Sequence, residues 1–384
     1  MARWRRRDIS ISGFRLLWFL AVLLIAGVQI SQVNPAFADA IIDFGGVGGL
    51  VQLGVADEGT LSVVGGSASS AGTQIPPYVG VRYMPTNAEA IAIGAWFGEG
   101  WGVAAAGVSP FSGYTNNFSS TNVAPQLGVG LTEPYVPNNS TGTGSTASQF
   151  RSVVDVTDTA LGTRGLRVTH DFHPSASPRL YQVDVTIANT GSAAVADLRY
   201  RRVLDWDVEP TARSEFVTIG GLPATNVIFT NDNGFSSADP LVAAGGDIGG
   251  CGVNVNFTDC MDAVGAFGGS DHGALFDLDF GGLAAGASRS FKIFYGAAGT
   301  EAAADAARAA VGIEVYSYGQ CNPHPGFFVT SDPSCSETTG TPNTFIFGLA
   351  GVGGTPASVP EPSTLLLLGS GLAGVAAIRR RKGR

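Results

Sequence analysis

The sequence contains no GxxxxGK[ST], no GxSxG and no HExxH, so the nucleotide, serine-hydrolase and zinc-protease chemistries that depend on those spacings are not signalled. It has four cysteines, all downstream, at Cys251, Cys260, Cys321 and Cys335. Their C-x8-C and C-x13-C spacings are unlike the close C-x2-C pairs of zinc sites. No repeat of fixed period is evident. Long hydrophobic runs are also missing: residues 16–28 and 365–378 are thirteen and fourteen residues of apolar character. At about 1.5 Å per residue both fall short of a hydrocarbon core of ~30 Å.

What surrounds those two short runs gives each a meaning. The first follows Arg3, Arg5, Arg6, Arg7 and Arg15 and precedes Ala36-Phe37-Ala38. A basic region, a short apolar core and a small-x-small site describe a secretory signal peptide over residues 1–38. Cleavage by signal peptidase after Ala38 leaves Asp39 as the new N-terminus. The second run follows Val359-Pro360-Glu361-Pro362-Ser363-Thr364 and precedes Arg379, Arg380, Arg381, Lys382 and Arg384. The two prolines stop a helix from starting earlier. A helix over residues 365–378 spans only if the bilayer thins or its flanks snorkel. The basic cluster stays cytoplasmic by the positive-inside rule, which puts the body outside the inner membrane.

This C-terminal pattern resembles the PEP-CTERM sorting signal of Gram-negative bacteria, over residues 359–384. The resemblance implies that an exosortase recognises the chain near Pro360-Glu361-Pro362 and removes the helix. It also implies passage through the inner membrane to the cell surface or the extracellular matrix, in association with exopolysaccharide or biofilm. It does not speak to the activity of the body.

An exported chain with an even number of cysteines favours disulfides. Sequence neighbours suggest Cys251–Cys260 and Cys321–Cys335, although four cysteines allow three pairings. The net charge of −9 conceals a more acidic body. Residues 1–38 hold five arginines and one aspartate, residues 379–384 hold five basic residues, and without both ends the charge is −18. Such a body is not a nucleic-acid binder, because phosphate contacts need clustered Lys and Arg.

Glycine, at 54 of 384 residues, is about twice its usual share while the apolar fraction is ordinary. That combination predicts an all-β, sandwich-like body with many short antiparallel strands over residues 39–350. Expected strands are 61–64, 78–83, 90–95, 152–156, 165–170, 180–188, 198–208, 216–219, 226–230, 274–280, 290–295, 313–318 and 344–348. Residues 181–187 alternate apolar and polar, the mark of a half-buried strand. One helix is expected, capped by Thr300 and running to Ala310. Residues 134–149 read as an internal linker, and residues 351–358, opening Gly351-Val352-Gly353-Gly354, as a flexible one. Residues 165–220, with Gly98-Glu99-Gly100-Trp101-Gly102 upstream, resemble the β-rich bodies of uncharacterised exported bacterial proteins and, more loosely, sandwich domains of carbohydrate-active proteins. That likeness assigns no catalytic residue.

The sharpest local feature is Asp205-Trp206-Asp207-Val208-Glu209. On a strand, Tyr200, Arg202, Leu204, Trp206 and Val208 share one face and Arg199, Arg201, Asp205, Asp207 and Glu209 the other. The plain expectation is a solvated face of acids paired with arginines. A calcium site built on Asp205, Asp207 and Glu209 is the alternative, and paired catalytic carboxylates for glycoside chemistry are a third. His170 and His173 lie three apart, so on a strand they point to opposite faces and do not chelate together without a bend; a turn at Pro174, which would make a site of them, is the alternative. His272 and His324 read as loop residues, and Asn231-Asp232-Asn233-Gly234 as a turn without the Glu that an EF-hand requires. Trp96, Trp101 and Trp206 read as core, with sugar stacking around residues 97–101 as the alternative. The sequence as a whole points to a non-enzymatic surface or matrix protein, with a carbohydrate-active enzyme as the competing reading.

Overall fold

In a computed structural model the described residues are 40–43, 49–56, 58–70, 77–91, 98–106, 108–114, 129–131, 148–157, 165–248, 260–261, 269–324, 331–336 and 338–356. Both sorting ends, Ala38 and Asp39, residues 359–384 including Pro360, Glu361, Pro362, Arg379, Arg380 and Arg381, and most of the 134–149 segment lie outside them. Among the described residues no helix is long and apolar enough to cross a membrane.

The first ten strands are β1 (Ala40–Asp43), β2 (Val51–Val55), β3 (Val63–Val64), β4 (Tyr78–Val79), β5 (Val81–Tyr83), β6 (Ala88–Glu89), β7 (Glu99–Ala105), β8 (Val108–Tyr114), β9 (Val129–Leu131) and β10 (Phe150–Thr157). They are followed by β11 (Gly165–Pro174), β12 (Leu180–Asn189), β13 (Arg199–Asp205), β14 (Phe216–Gly220), β15 (Val227–Asn231), β16 (Cys260–Met261), β17 (Gly273–Asp279) and β18 (Ser288–Ala298). Helix α1 (Glu301–Val311), β19 (Val315–Gln320) and β20 (Thr344–Ala350) complete the order. Nine strands form one sheet, β16-β14-β19-β20-β18-β12-β11-β10-β9, and five form a second, β15-β17-β13-β7-β8. A four-stranded sheet, β1-β2-β5-β6, and the β3-β4 pair are smaller.

The alternation in β12 does what the sequence predicts: Tyr181, Val183, Val185 and Ile187 are buried while Gln182, Asp184 and Thr186 are not. The antiparallel register sets Val183 between Phe172 of β11 and Ile293 of β18, so one face of the large sheet is continuously apolar. The five-stranded sheet offers Trp101, Tyr200, Phe276 and Leu278, all buried. The two faces meet: Tyr200 stands edge-on to Phe291 at 5.1 Å and Phe276 edge-on to Phe347 at 5.4 Å between ring centroids. The chain is thus a β-sandwich, each buried large apolar side chain contributing about 1.5–3 kcal/mol by its removal from water.

The expected helix forms as α1. Thr300, with extended backbone (φ −153°), accepts the Ala303 amide at 3.2 Å, and Gly312 closes the other end in the left-handed region at φ 70°. Its alanines pack with Phe294, Tyr318 and Ile346 on the outer face of the large sheet. Cys321 and Cys335 form the expected disulfide, whereas Cys251 lies outside the described residues.

Several strand limits differ from the expectation. The 78–83 segment breaks at Gly80 into β4 and β5, where an added Cβ would lie 2.6 Å from Ile91. The 198–208 strand stops at Asp205, and Trp206 only bridges to Ile91. Residues 351–354, expected as flexible, instead lie against the body: Val352 is fully buried in the sandwich core.

Candidate functional site

Strand β13 carries the Asp205–Glu209 row to one end of the five-stranded sheet. Beyond Asp205 the chain runs beside residues 89–91, with the Asp207 amide donating to the Ala90 carbonyl and the Glu209 amide to the Glu89 carbonyl. The predicted two-faced pattern holds. Trp206 and Val208 turn inward, the indole donating to the Ser317 hydroxyl at 3.0 Å. The acids turn the other way, and here the expectation of a solvated face fails: Asp205, Asp207 and Glu209 are 2%, 5% and 0% exposed. Loops that the linear pattern could not place cover them.

The three acids also part company. Glu209 accepts the Ser69 hydroxyl at 2.5 Å, the Ser70 hydroxyl at 3.4 Å and the Glu89 amide at 3.0 Å. Asp205 and Asp207 face a different set. Both act electrostatically on Glu215, as does Asp271, and Asp205 feels Asp207 and Asp271 directly. The proposed calcium trio is therefore not assembled as one site, and among the described residues no three His, Cys, Asp or Glu side chains are placed to hold a metal ion.

Chain topology explains how four carboxylates converge. Glu215 bridges to Ser270 and accepts the backbone amides of Ser214 and His272 at 3.0 and 3.1 Å. Asp271 sits between that bridge and β17. Burial, then mutual repulsion, pushes the Asp205 and Glu215 carboxyls well above the usual carboxylate range, and burial raises Asp271 as well. Arg213 supplies opposing charge to Asp205 and Asp271 from a left-handed backbone at φ 70°, uncommon for arginine. The Asp205 Oδ1 is buried without a hydrogen-bond partner. A raised carboxyl is the kind of group that a general acid requires.

His272, expected as an ordinary loop residue, is fully buried at the cluster's edge. Its ring lies 3.1 Å from Asp232 and 3.0 Å from the Glu215 carbonyl oxygen. Asn231-Asp232-Asn233-Gly234 is the predicted turn: Asn231 and Asn233 accept the amides of Asn233 and Phe235 at 3.2 and 3.1 Å. His170 and His173 point apart as predicted. His170 contacts Tyr200 inside the sandwich at 2.8 Å, and His173 meets Asp184 outside at 3.2 Å. Trp101 is fully buried and its indole donates to the Glu58 carbonyl at 2.9 Å, so it is core and not a sugar platform.

Sequence reasoning missed one further network. Arg202, on the inward face of β13, is fully buried and pairs with Glu99 of β7. It also donates to the Tyr200 hydroxyl at 3.1 Å and the Gly59 carbonyl at 2.9 Å. Glu99 in turn accepts the Tyr295 hydroxyl at 2.6 Å and the Leu61 amide at 3.0 Å. Burial, reinforced by Arg202, lowers His170 well below the usual imidazole range and keeps it neutral. An arginine at an inward position of the alternation was the available signal, since such a charge requires a buried acid.

A family model described as the PEP-CTERM protein-sorting motif matches residues 358–382. No curated protein matches the chain. Among solved structures, a galactose mutarotase related enzyme from Lactobacillus acidophilus is similar over 84% of this chain and 93% of its own, with 6% identity and a TM-score of 0.29.

Proposed function

We propose, from the premise that this is a PEP-CTERM sorting-motif protein, that it is a non-enzymatic protein of the cell surface or extracellular matrix that associates with polysaccharide. The motif at residues 358–382 carries the reading, because it implies exosortase-dependent export. On this account signal peptidase cuts after Ala38, the residue 365–378 segment holds the chain transiently in the inner membrane, and the exosortase acts near Pro360-Glu361-Pro362. The acidic β-sandwich is then the delivered cargo. Pull-down of the exported body with host exopolysaccharide tests the binding part; retention above a β-sandwich control is expected, and a blank across acidic and neutral glycans removes it.

One observation favours a second reading, a carbohydrate-active enzyme. Asp205 and Glu215 are buried acids held well above the usual range beside further carboxylates, and glycoside cleavage needs one protonated and one ionised acid flanking the bond. New reducing ends on released polysaccharide, lost in D205N and E215Q, support it; no change in chain length counts against it.

A further inference from the structure

Residues 237–248 cross the outer face of the five-stranded sheet as a fastened loop. Arg201 of β13 donates to the Ser237 carbonyl at 2.7 Å, and Asn231 and Asn233 donate to the carbonyls of Gly245 and Gly246 at 2.9 and 2.6 Å. The Leu241 amide donates to the Asp239 carboxylate at 2.9 Å and the Gly245 amide to the Ser236 hydroxyl at 3.0 Å. Gly102 of β7 lies close beneath, where an added Cβ would stand 2.1 Å from the Ala238 carbonyl oxygen. This fixed loop turns Leu241 and Val242 outward, 57% and 48% exposed. With Ile228 and Ile248 they are four of the six exposed large apolar side chains among the described residues. Apolar surface gathered in one region and held in water by a rigid loop marks a place of contact.

The loop walls a cavity of about 460 Å³ whose lining includes Arg199, Arg201, Asp277, Phe229, Leu241 and Val242, a size that suits a small ligand or a short stretch of glycan. Its charges are not equivalent. Arg201 and Asp277 neutralise one another through two short bonds, at 2.5 and 2.7 Å, and their side chains are 2% and 10% exposed. The Arg199 side chain is 38% exposed, and its ion pair to Asp279 is 3.9 Å long, beyond hydrogen-bonding reach. Its guanidinium is the cavity's open donor set, a planar fork that fits a carboxylate through two parallel bonds. Phe229 and Leu241 offer apolar surface to the C–H face of a sugar ring. We propose that this cavity binds a carboxylate-bearing sugar of an acidic polysaccharide, Arg199 taking the carboxylate and the 240–242 loop the ring. The proposal rests on the polysaccharide reading above and gives it a place. The acidic body repels an acidic chain at long range, so retention requires a local cation of this kind. A wholly apolar partner surface, by contrast, would desolvate Arg199 without pairing it.

The test is the affinity of the exported protein, purified from its host, for host exopolysaccharide before and after chemical reduction of its carboxyl groups to alcohols. It is run at roughly 0.15 M salt, where charges more than about 8 Å apart are screened. Wild type is compared with R199A, R199K, L241A and R167A; all three positions are exposed, and matching thermal unfolding confirms the fold. Arg167 pairs with Asp155 on the large sheet, so R167A removes the same charge elsewhere. Carboxyl reduction and R199A should each weaken binding about tenfold, R199A should add nothing on the reduced polymer, and R199K should recover part of the loss. L241A should weaken both polymers about threefold, and R167A neither. Wild-type binding that R199A leaves unchanged, or that R199A and R167A weaken alike, overturns the site and leaves the polysaccharide reading standing. Equal binding of the reduced polymer overturns the acidic sugar. A concentration-dependent dimer that L241A abolishes, with glycan binding unchanged, makes the patch an interface between copies and overturns the proposal. No wild-type binding to either polymer overturns the polysaccharide reading itself.

Discussion

At the scale of single residues, the acids behind β13 give the molecule a pH dependence of definite sign. An unfolded Asp or Glu carboxyl loses its proton near pH ~4, whereas Asp205 and Glu215 keep theirs to well above that in the folded chain. The folded state then binds more protons, so their contribution is fully present below the unfolded value and is lost as pH rises through the folded one. Asp232 is opposite in sign: burial raises it, but hydrogen bonds from His272, Asp247 and the Ile248 amide outweigh that and hold it below the usual range. Its contribution is lost only in strong acid and does not mask the first. His170, held low, opposes that loss below its unfolded value of ~6.5, so thermal unfolding of the exported body is expected to show falling stability as pH rises above about 7. D205N and E215Q should flatten that fall; a flat wild-type profile contradicts the assignment. The Arg202–Glu99 pair makes a second prediction. E99Q leaves a guanidinium buried without its counter-charge and should cost about 3–5 kcal/mol in urea unfolding, while E99Q combined with R202M should recover much of it.

At the scale of elements, legibility in the sequence followed how evenly each strand is buried. β12 buries one face, so its period of two is visible in its residues. β7, Glu99–Ala105, is buried along its whole length and glycine-rich, so it shows no alternation and was not anticipated. The Asp205–Glu209 row was found and its two faces were right, but its solvation was not, because Ser69, Ser70, Glu215 and Asp271 come from distant parts of the chain. The run Gly351–Gly354 misled for a different reason. Glycine marks both a free linker and a backbone bent to meet a partner, and only the position of Glu314, which accepts the Gly351 and Gly354 amides, distinguishes them. Helix α1 was legible because its cap is local. T300A should cost about 1 kcal/mol, read by thermal unfolding, and should loosen the alanine face over Phe294 and Ile346 before the sandwich core.

At the scale of the whole molecule, the sorting motif and the sandwich are two kinds of information. The motif at residues 358–382 is an address read by a processing enzyme, and it constrains the body only through the chain that joins them. The sandwich is held by its inter-sheet aromatics and by the Arg202 network. Its acidic surface suits a delivered protein and does not of itself supply an activity. The central claim is therefore about export and trimming, and intact-mass measurement of the protein from its host, with and without the exosortase, tests it most directly. The account predicts a mature chain beginning at Asp39 and ending near Pro360-Glu361-Pro362 when the enzyme is present, and a membrane-held chain still carrying residues 365–378 when it is absent. The same tail-bearing mass in both strains would contradict it.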